Sequence, residues 1–130
     1  MVKNNIPGYL ERDIVDTTPF WRRPSQPITR VWHGRTRAAD ADAYLTFLKE
    51  KGVLDYLATP GIQDVRIGRS IEGAVAHFYT ISTWRDLAAI RAFAGEPVDK
   101  ARYYPEDERF LLEFEPTVIH YETFPIFTTE

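Results

Sequence analysis

Three histidines, His33, His77 and His120, fall in stretches whose residues alternate at strand spacing, and Arg30, Trp32, Arg66 and Tyr79 fall in the same stretches. Imidazole is the side chain that exchanges a proton near neutral pH. A guanidinium holds a developing anion, and tryptophan and tyrosine offer a flat apolar body with a polar tip. Ionisable and aromatic rings on half-buried sheet positions are what a ligand cavity needs. Together these residues offer acid–base chemistry. His77 is the expected base, with Arg30 and His120 holding the anion. Trp32, Tyr79, Arg66 and His33 are the expected contacts to the bound molecule.

The elements that must position these side chains are readable from Ile28 onward. ITRVWHGRT is rich in β-branched and aromatic residues and reads as a strand. Asp40 is an N-cap for a helix running through Tyr44, Leu45 and Leu48 toward Leu57, with Gly52 bending it and Pro60-Gly61 ending it. QDVRIGRS and AVAHFYTIS form a hairpin around Glu72 and Gly73. Thr83 and Asp86 resemble a capping box for a second helix that carries Leu87, Ile90 and Phe93 on one side and stops at Gly95 and Pro97. A short helix is expected from Pro105 to Phe114, because the acidic run Glu106 to Glu108 suits a helix N-terminus, and TVIHYETF is the last strand. With right-handed crossovers, the order β-α-β-β-α-β gives a ferredoxin-like α+β sandwich with the first and third strands central.

Strand periodicity sorts the candidate residues by face. One set, Arg30, Trp32, His77, Tyr79, His120 and Glu122, is expected on the face away from the helices. Val31, Val65, Ile67, Phe78 and Ile119 are expected under them, with His33 pointing the less favoured way and Arg66 at the sheet edge. Each residue also has a purely structural reading. Trp32 fits a core position, and Arg66 with Arg69 fits a solvated strand edge. The open sheet face carries too many apolar residues to stay bare, and a second copy packed sheet to sheet is the expected cover.

Composition bounds the function. A chain of 130 residues with 44% hydrophobic residues suits a single domain, here residues 28–130 behind an N-terminal arm at residues 1–27. The arm is broken by Pro7, Pro19, Pro24 and Pro27, yet it carries Phe20 and Trp21 and is expected to pack on something. A net charge of −3 without a basic run argues against nucleic acid. The absence of cysteine excludes disulfides and thiolate metal sites and suits a cytoplasmic protein, and no stretch is apolar enough for a membrane helix. The histidines lack the spacing of a two-histidine helical motif, so neither a metal nor a cofactor is expected.

RVWHGRT, STWRDLAAIRAFAGEP and YYPEDERFLLEFEPTVIHYE resemble segments of the antibiotic biosynthesis monooxygenase-like family of dimeric α+β barrels, and the likeness spans Ile28 to Phe124. The resemblance implies a homodimer of ferredoxin-like subunits. It also implies a small cofactor-independent enzyme acting on an aromatic or quinone-like metabolite, most simply an oxygenase of secondary metabolism. An isomerase, a cyclase or a non-catalytic small-molecule-binding module is the alternative on the same scaffold. A cofactor-free oxygenase takes a proton from an electron-rich ring, and the carbanion then passes an electron to oxygen, so the protein supplies a base, an oxyanion partner and a dry pocket. Haem-degrading relatives bind iron through a helical histidine, and neither helix pattern here has one.

Overall fold

The computed structural model describes residues 27–127 together with Thr17, Pro19 and Thr129. The expected arm, residues 1–27, otherwise lies outside the described residues. Strand β1 spans Ile28–Arg37, β2 Ile62–Glu72, β3 Val75–Trp84 and β4 Ile119–Glu122. They form one antiparallel sheet in the order β2-β3-β1-β4, with β1 and β3 central. Helices α1 (Ala41–Phe47), α2 (Leu54–Ala58) and α3 (Leu87–Ala94) pack on one face. The fold is the ferredoxin-like α+β sandwich that the element order predicts.

Local chemistry explains the element ends. The expected first helix is divided, because a π-helical turn at Leu48–Gly52 separates α1 from α2, and a 3-10 turn at Ala38–Asp40 precedes α1 in place of a side-chain cap from Asp40. Asp86 is itself the N-cap of α3, where its carboxylate accepts from the Ala89 amide at 3.0 Å, while Thr83 belongs to β3. Gly73, with φ +62°, sits in the tight turn between β2 and β3, where a left-handed residue suits the twist of a hairpin. The expected helix from Pro105 shortens to a 3-10 helix at Pro105–Arg109. Its central Asp107 is buried, accepting from the Tyr44 hydroxyl at 2.8 Å and the Tyr104 amide at 2.7 Å. Beyond it the chain runs beside β1, bridging Thr36 to Leu111.

Two apolar clusters fill the space between sheet and helices. Trp32, Phe78, Tyr44 and Leu48 form one under α1, and Ile28, Trp84, Ile90 and Phe93 form the other under α3. Burying each such side chain contributes about 1.5–3 kcal/mol. The strand residues in these clusters have even numbers, as do Arg30, Thr80 and Ser82, which are also buried. Odd-numbered residues of β1 and β3 therefore face away from the helices. Gly34 has a specific reason to lack a side chain, since a Cβ there would lie 2.5 Å from the Trp32 ring that lies across it. Among the described residues no helix is long and apolar enough to cross a membrane.

Candidate functional site

The antiparallel register decides which candidate residues meet. Arg30 pairs with Ser82 on one side and with His120 on the other, and Trp32 pairs with Thr80. All of these point toward the helices. His33 pairs with Tyr79 and Arg35 with His77, and these point the opposite way. The expected single constellation is therefore divided between the two faces of the sheet. For β3 the expected assignment holds, with Phe78 inward and His77 and Tyr79 outward. For β1 and β4 it is reversed: Arg30, Trp32 and His120 lie on the helix side, and Val31, His33 and Ile119 do not. The cause is the size of Trp32, whose indole fills the space between sheet and helices at 6% exposure and so fixes the parity of β1.

On the helix side, Arg30 is 1% exposed. Its Nη1 donates to the Val98 carbonyl at 2.6 Å and lies 3.2 Å from His120 Nε2, and its Nη2 donates to the Lys100 carbonyl at 2.8 Å. Its Nε has no partner among the described residues. The guanidinium also stands over the Phe93 ring at 5.6 Å. Burial lowers its pKa from the ordinary arginine value, yet a guanidinium keeps its proton at any physiological pH. His120 is held neutral: burial first, and then the Arg30 charge, push its pKa down to about 4. Because Arg30 has only N–H groups to offer, His120 Nε2 is the acceptor of that contact, and the ring proton sits on Nδ1.

His120 opens onto a cleft of about 420 Å³ lined by Glu96, Pro97, Val98, Asp99, Val118 and Ile119. That volume is in the range of small-molecule sites. The wall carrying Val98 and Lys100 is the chain between α3 and β4, which Arg30 tethers from inside. A neighbouring space of about 20 Å³, lined by Trp32, Tyr44, Tyr56, Thr80, Arg102 and Tyr104 among others, is large enough for one water molecule only. Trp32, whose buried Nε1 makes no hydrogen bond of good geometry among the described residues, belongs to that lining. The space around Trp32 is therefore packed, and room for a ligand lies at the two edges of the sandwich: the cleft at β4 by His120, and a groove of about 490 Å³ between Leu45, Lys49, Val53 and Leu57 and the β2 residues Val65 and Ile67, which is apolar apart from Lys49 and holds none of the histidines.

On the opposite face, His33 and His77 stand 3.0 Å apart through Nε2 and Nδ1, and His33 Nδ1 is 2.7 Å from Glu115. The Tyr79 ring lies 4.9 Å from His33, and Arg35 forms a two-armed pair with Glu113 at 3.0 and 2.6 Å. Arg66 is exposed on the edge strand, bonded to Asp64 at 2.8 Å and remote from the cleft lining. Among the described residues no three acidic or histidine side chains are grouped to hold a metal ion. The sequence contexts of Asp99 and Glu115 carry no signal of a site. Asp99 sits in an irregular stretch, and Glu115 reaches His33 across 82 residues of chain.

No family model matches the chain, and no curated protein matches it significantly. Solved structures do. A protein of Pseudomonas aeruginosa is 19% identical with a TM-score of 0.56, the match covering 79% of this chain and 99% of that one. A conserved protein of Methanosarcina mazei is 13% identical with a TM-score of 0.56, covering 77% and 95%. A heme-degrading protein of Mycobacterium tuberculosis, in a heme-free form, is 12% identical with a TM-score of 0.50, covering 82% and 98%. This likeness is one of fold. Each of these proteins is spanned almost whole, so the sandwich of β1 to β4 and its helices is a complete unit of that architecture. All three histidines of this chain stand on strands and none on a helix.

Proposed function

We propose that this protein is a small cofactor-independent acid–base enzyme that binds an aromatic or quinone-like metabolite in the cleft at His120. The observation that carries the reading is a neutral histidine, locked by a buried arginine, lining a cleft of ligand size. A neutral imidazole with its lone pair occupied is a hydrogen-bond donor and not a base. The Nδ1–H of His120 suits the oxygen of an enol or phenol as that oxygen gains negative charge, and Arg30 behind it strengthens the donor. Asp99, in the same cleft, is the carboxylate that takes the proton. His77 stands on the other face of the sheet and does not share this substrate. Pro97, Val98, Val118 and Ile119 supply apolar contact for a ring.

Proton removal to a stabilised oxyanion is common to oxygenation, isomerisation and cyclisation. Oxygenation of an electron-rich ring is the reading that the family resemblance favours. A panel of anthrones, hydroquinones and enolisable ketones, followed by oxygen uptake and by product mass, tests it. Turnover of an anthrone or hydroquinone with oxygen uptake is expected, falling by ~100-fold or more in Asp99→Asn. Turnover without oxygen uptake would make the protein an isomerase or cyclase. Binding without turnover across the panel would make it a carrier.

A further inference from the structure

On the outward face of the sheet, the hydrogen-bond partners of His33 and His77 fix where the ring protons lie. Glu115 is a carboxylate and only accepts, so His33 Nδ1 carries the proton of that 2.7 Å contact. In a neutral His33 the lone pair is then on Nε2. That nitrogen accepts across 3.0 Å, so the proton between the rings belongs to His77 Nδ1. The remaining lone pair of the chain is on His77 Nε2. This holds with both rings neutral: no N–H or O–H of the described residues is bonded to that nitrogen, and Glu72 Oε1, 3.4 Å away, forms an ion pair with it only when the His77 ring is protonated. The Tyr103 hydroxyl holds the Glu115 carbonyl at 2.5 Å, which fixes the start of the chain.

The three histidines thus differ in kind. His33 has both nitrogens engaged, and His120 has its lone pair committed to Arg30. His77 has a lone pair available on a ring whose side chain is 22% exposed. Its orientation is set by a carboxylate acting through a second imidazole, the logic by which a third group orients a catalytic histidine. A positive charge that develops on the ring meets the Glu72 carboxylate. The other charged or titratable groups whose strand positions share this face are Arg35 and Glu113, paired with each other, Arg66 and Asp64 on β2, likewise paired, Arg37, bonded to Asp40, Tyr121 on β4, and Tyr79, whose ring flanks His33.

We propose that His77 is a nucleophilic centre, separate from the His120 cleft, whose substrates are activated acyl esters. His77 Nε2 forms a bond to the ester carbonyl carbon, the carbon–oxygen bond to the leaving group breaks, a phenolate or alkoxide departs with the electron pair, and the ring, which keeps its Nδ1 proton, becomes an acyl-imidazolium. Water then adds to the acyl carbon and the carbon–nitrogen bond breaks, releasing the carboxylic acid and leaving His77 protonated, and the ring returns to its free form by giving that proton to the departed phenolate or alkoxide through solvent. His33 and Glu115 are positioning residues in this step.

Two measurements on the full chain test it. Diethyl pyrocarbonate acylates imidazole lone pairs, and peptide mass spectrometry reads each histidine separately; His77 is expected to be modified at least ~10-fold faster than His33 or His120. Hydrolysis of p-nitrophenyl acetate is expected to fall to the buffer rate in His77→Gln. In Glu115→Gln it should fall by ~10-fold or more, less than the ~10²–10⁴-fold of a group that itself transfers the proton, because Glu115 acts through His33. Glu115→Asp, which keeps the carboxylate, should recover part of the rate, whereas a merely structural role would show no such ordering. Equal modification of the three histidines, a wild-type His77 that resists the reagent, or unchanged hydrolysis in His77→Gln would overturn the proposal. None of these outcomes bears on turnover in the His120 cleft.

Discussion

Holding His120 neutral gives the fold a pH dependence that can be worked from the structure. Burial and the Arg30 charge displace its pKa from 6.5 to about 4. The unfolded chain therefore binds a proton at His120 between pH 6.5 and 4 while the folded chain does not. The stabilising contribution of the neutral ring is fully present above pH ~6.5, declines as the pH falls through that window, and is gone below pH ~4. At ~1.4 kcal/mol for each tenfold change in proton affinity the displacement corresponds to ~3 kcal/mol, which we discount to ~2 kcal/mol because solvent reaches part of the ring. Urea unfolding at pH 7 and pH 4, in wild type and in His120→Gln, isolates this contribution from the carboxylates that titrate in both proteins. The wild type should lose ~2 kcal/mol more than the variant between the two conditions. Arg30→Met removes the second cause and should shrink the gap. Parallel losses in wild type and His120→Gln would refute the assignment of a buried neutral ring.

Three further outcomes follow from the packing. Asp86→Ala deletes the carboxylate that caps α3 and should cost about 1 kcal/mol by chemical denaturation, with Asp86→Asn close to wild type. Gly34→Ala places a methyl against the Trp32 indole and should lower stability by ~1–3 kcal/mol, and Trp32→Leu in the same chain should relieve part of that loss. Ile119, Tyr121, Phe124, Ile126 and Phe127 are all exposed along β4 and the segment after it, which is more apolar surface than a lone subunit usually leaves bare. Sedimentation at micromolar concentration should show a dimer that Ile119→Lys and Phe127→Lys weaken, and a monomeric wild type would contradict this.

How much was legible in the sequence differs from strand to strand. In β3 the apolar and polar residues alternate cleanly around His77, Phe78 and Tyr79, so its faces could be read directly. In β1 both parities carry apolar residues, Val31 on one and Trp32 on the other, and Arg30 gives a misleading polar signal because its charge is buried on backbone carbonyls. Periodicity cannot detect a guanidinium held by Val98 and Lys100, since that contact spans 68 residues or more of chain. The acidic run beginning at Glu106 reads as a solvated helix start. Asp107 is instead buried, with its pKa raised by that burial, and is satisfied by Tyr44 and Tyr104. Glycine and proline signals fared better, because a stop at Gly95 or a turn at Gly73 depends on the local backbone alone.

Arg30 and His33 lie three residues apart and so belong to opposite faces, one anchoring the cleft at His120 and the other orienting His77. A single bound molecule cannot contact both centres, because the sheet itself stands between them. Any coupling would run through the backbone of β1, which pairs with β3 along its whole length and with β4 only from Ile28 to Val31. Arg30 and His120 meet in that short paired stretch, so their contact depends on the β1–β4 register. His33 and His77 meet where β1 and β3 are continuously paired, and their contact does not need β4. Loosening β4, as a charge at Ile119 would, should therefore disturb the His120 cleft before it disturbs the His33–His77 pair.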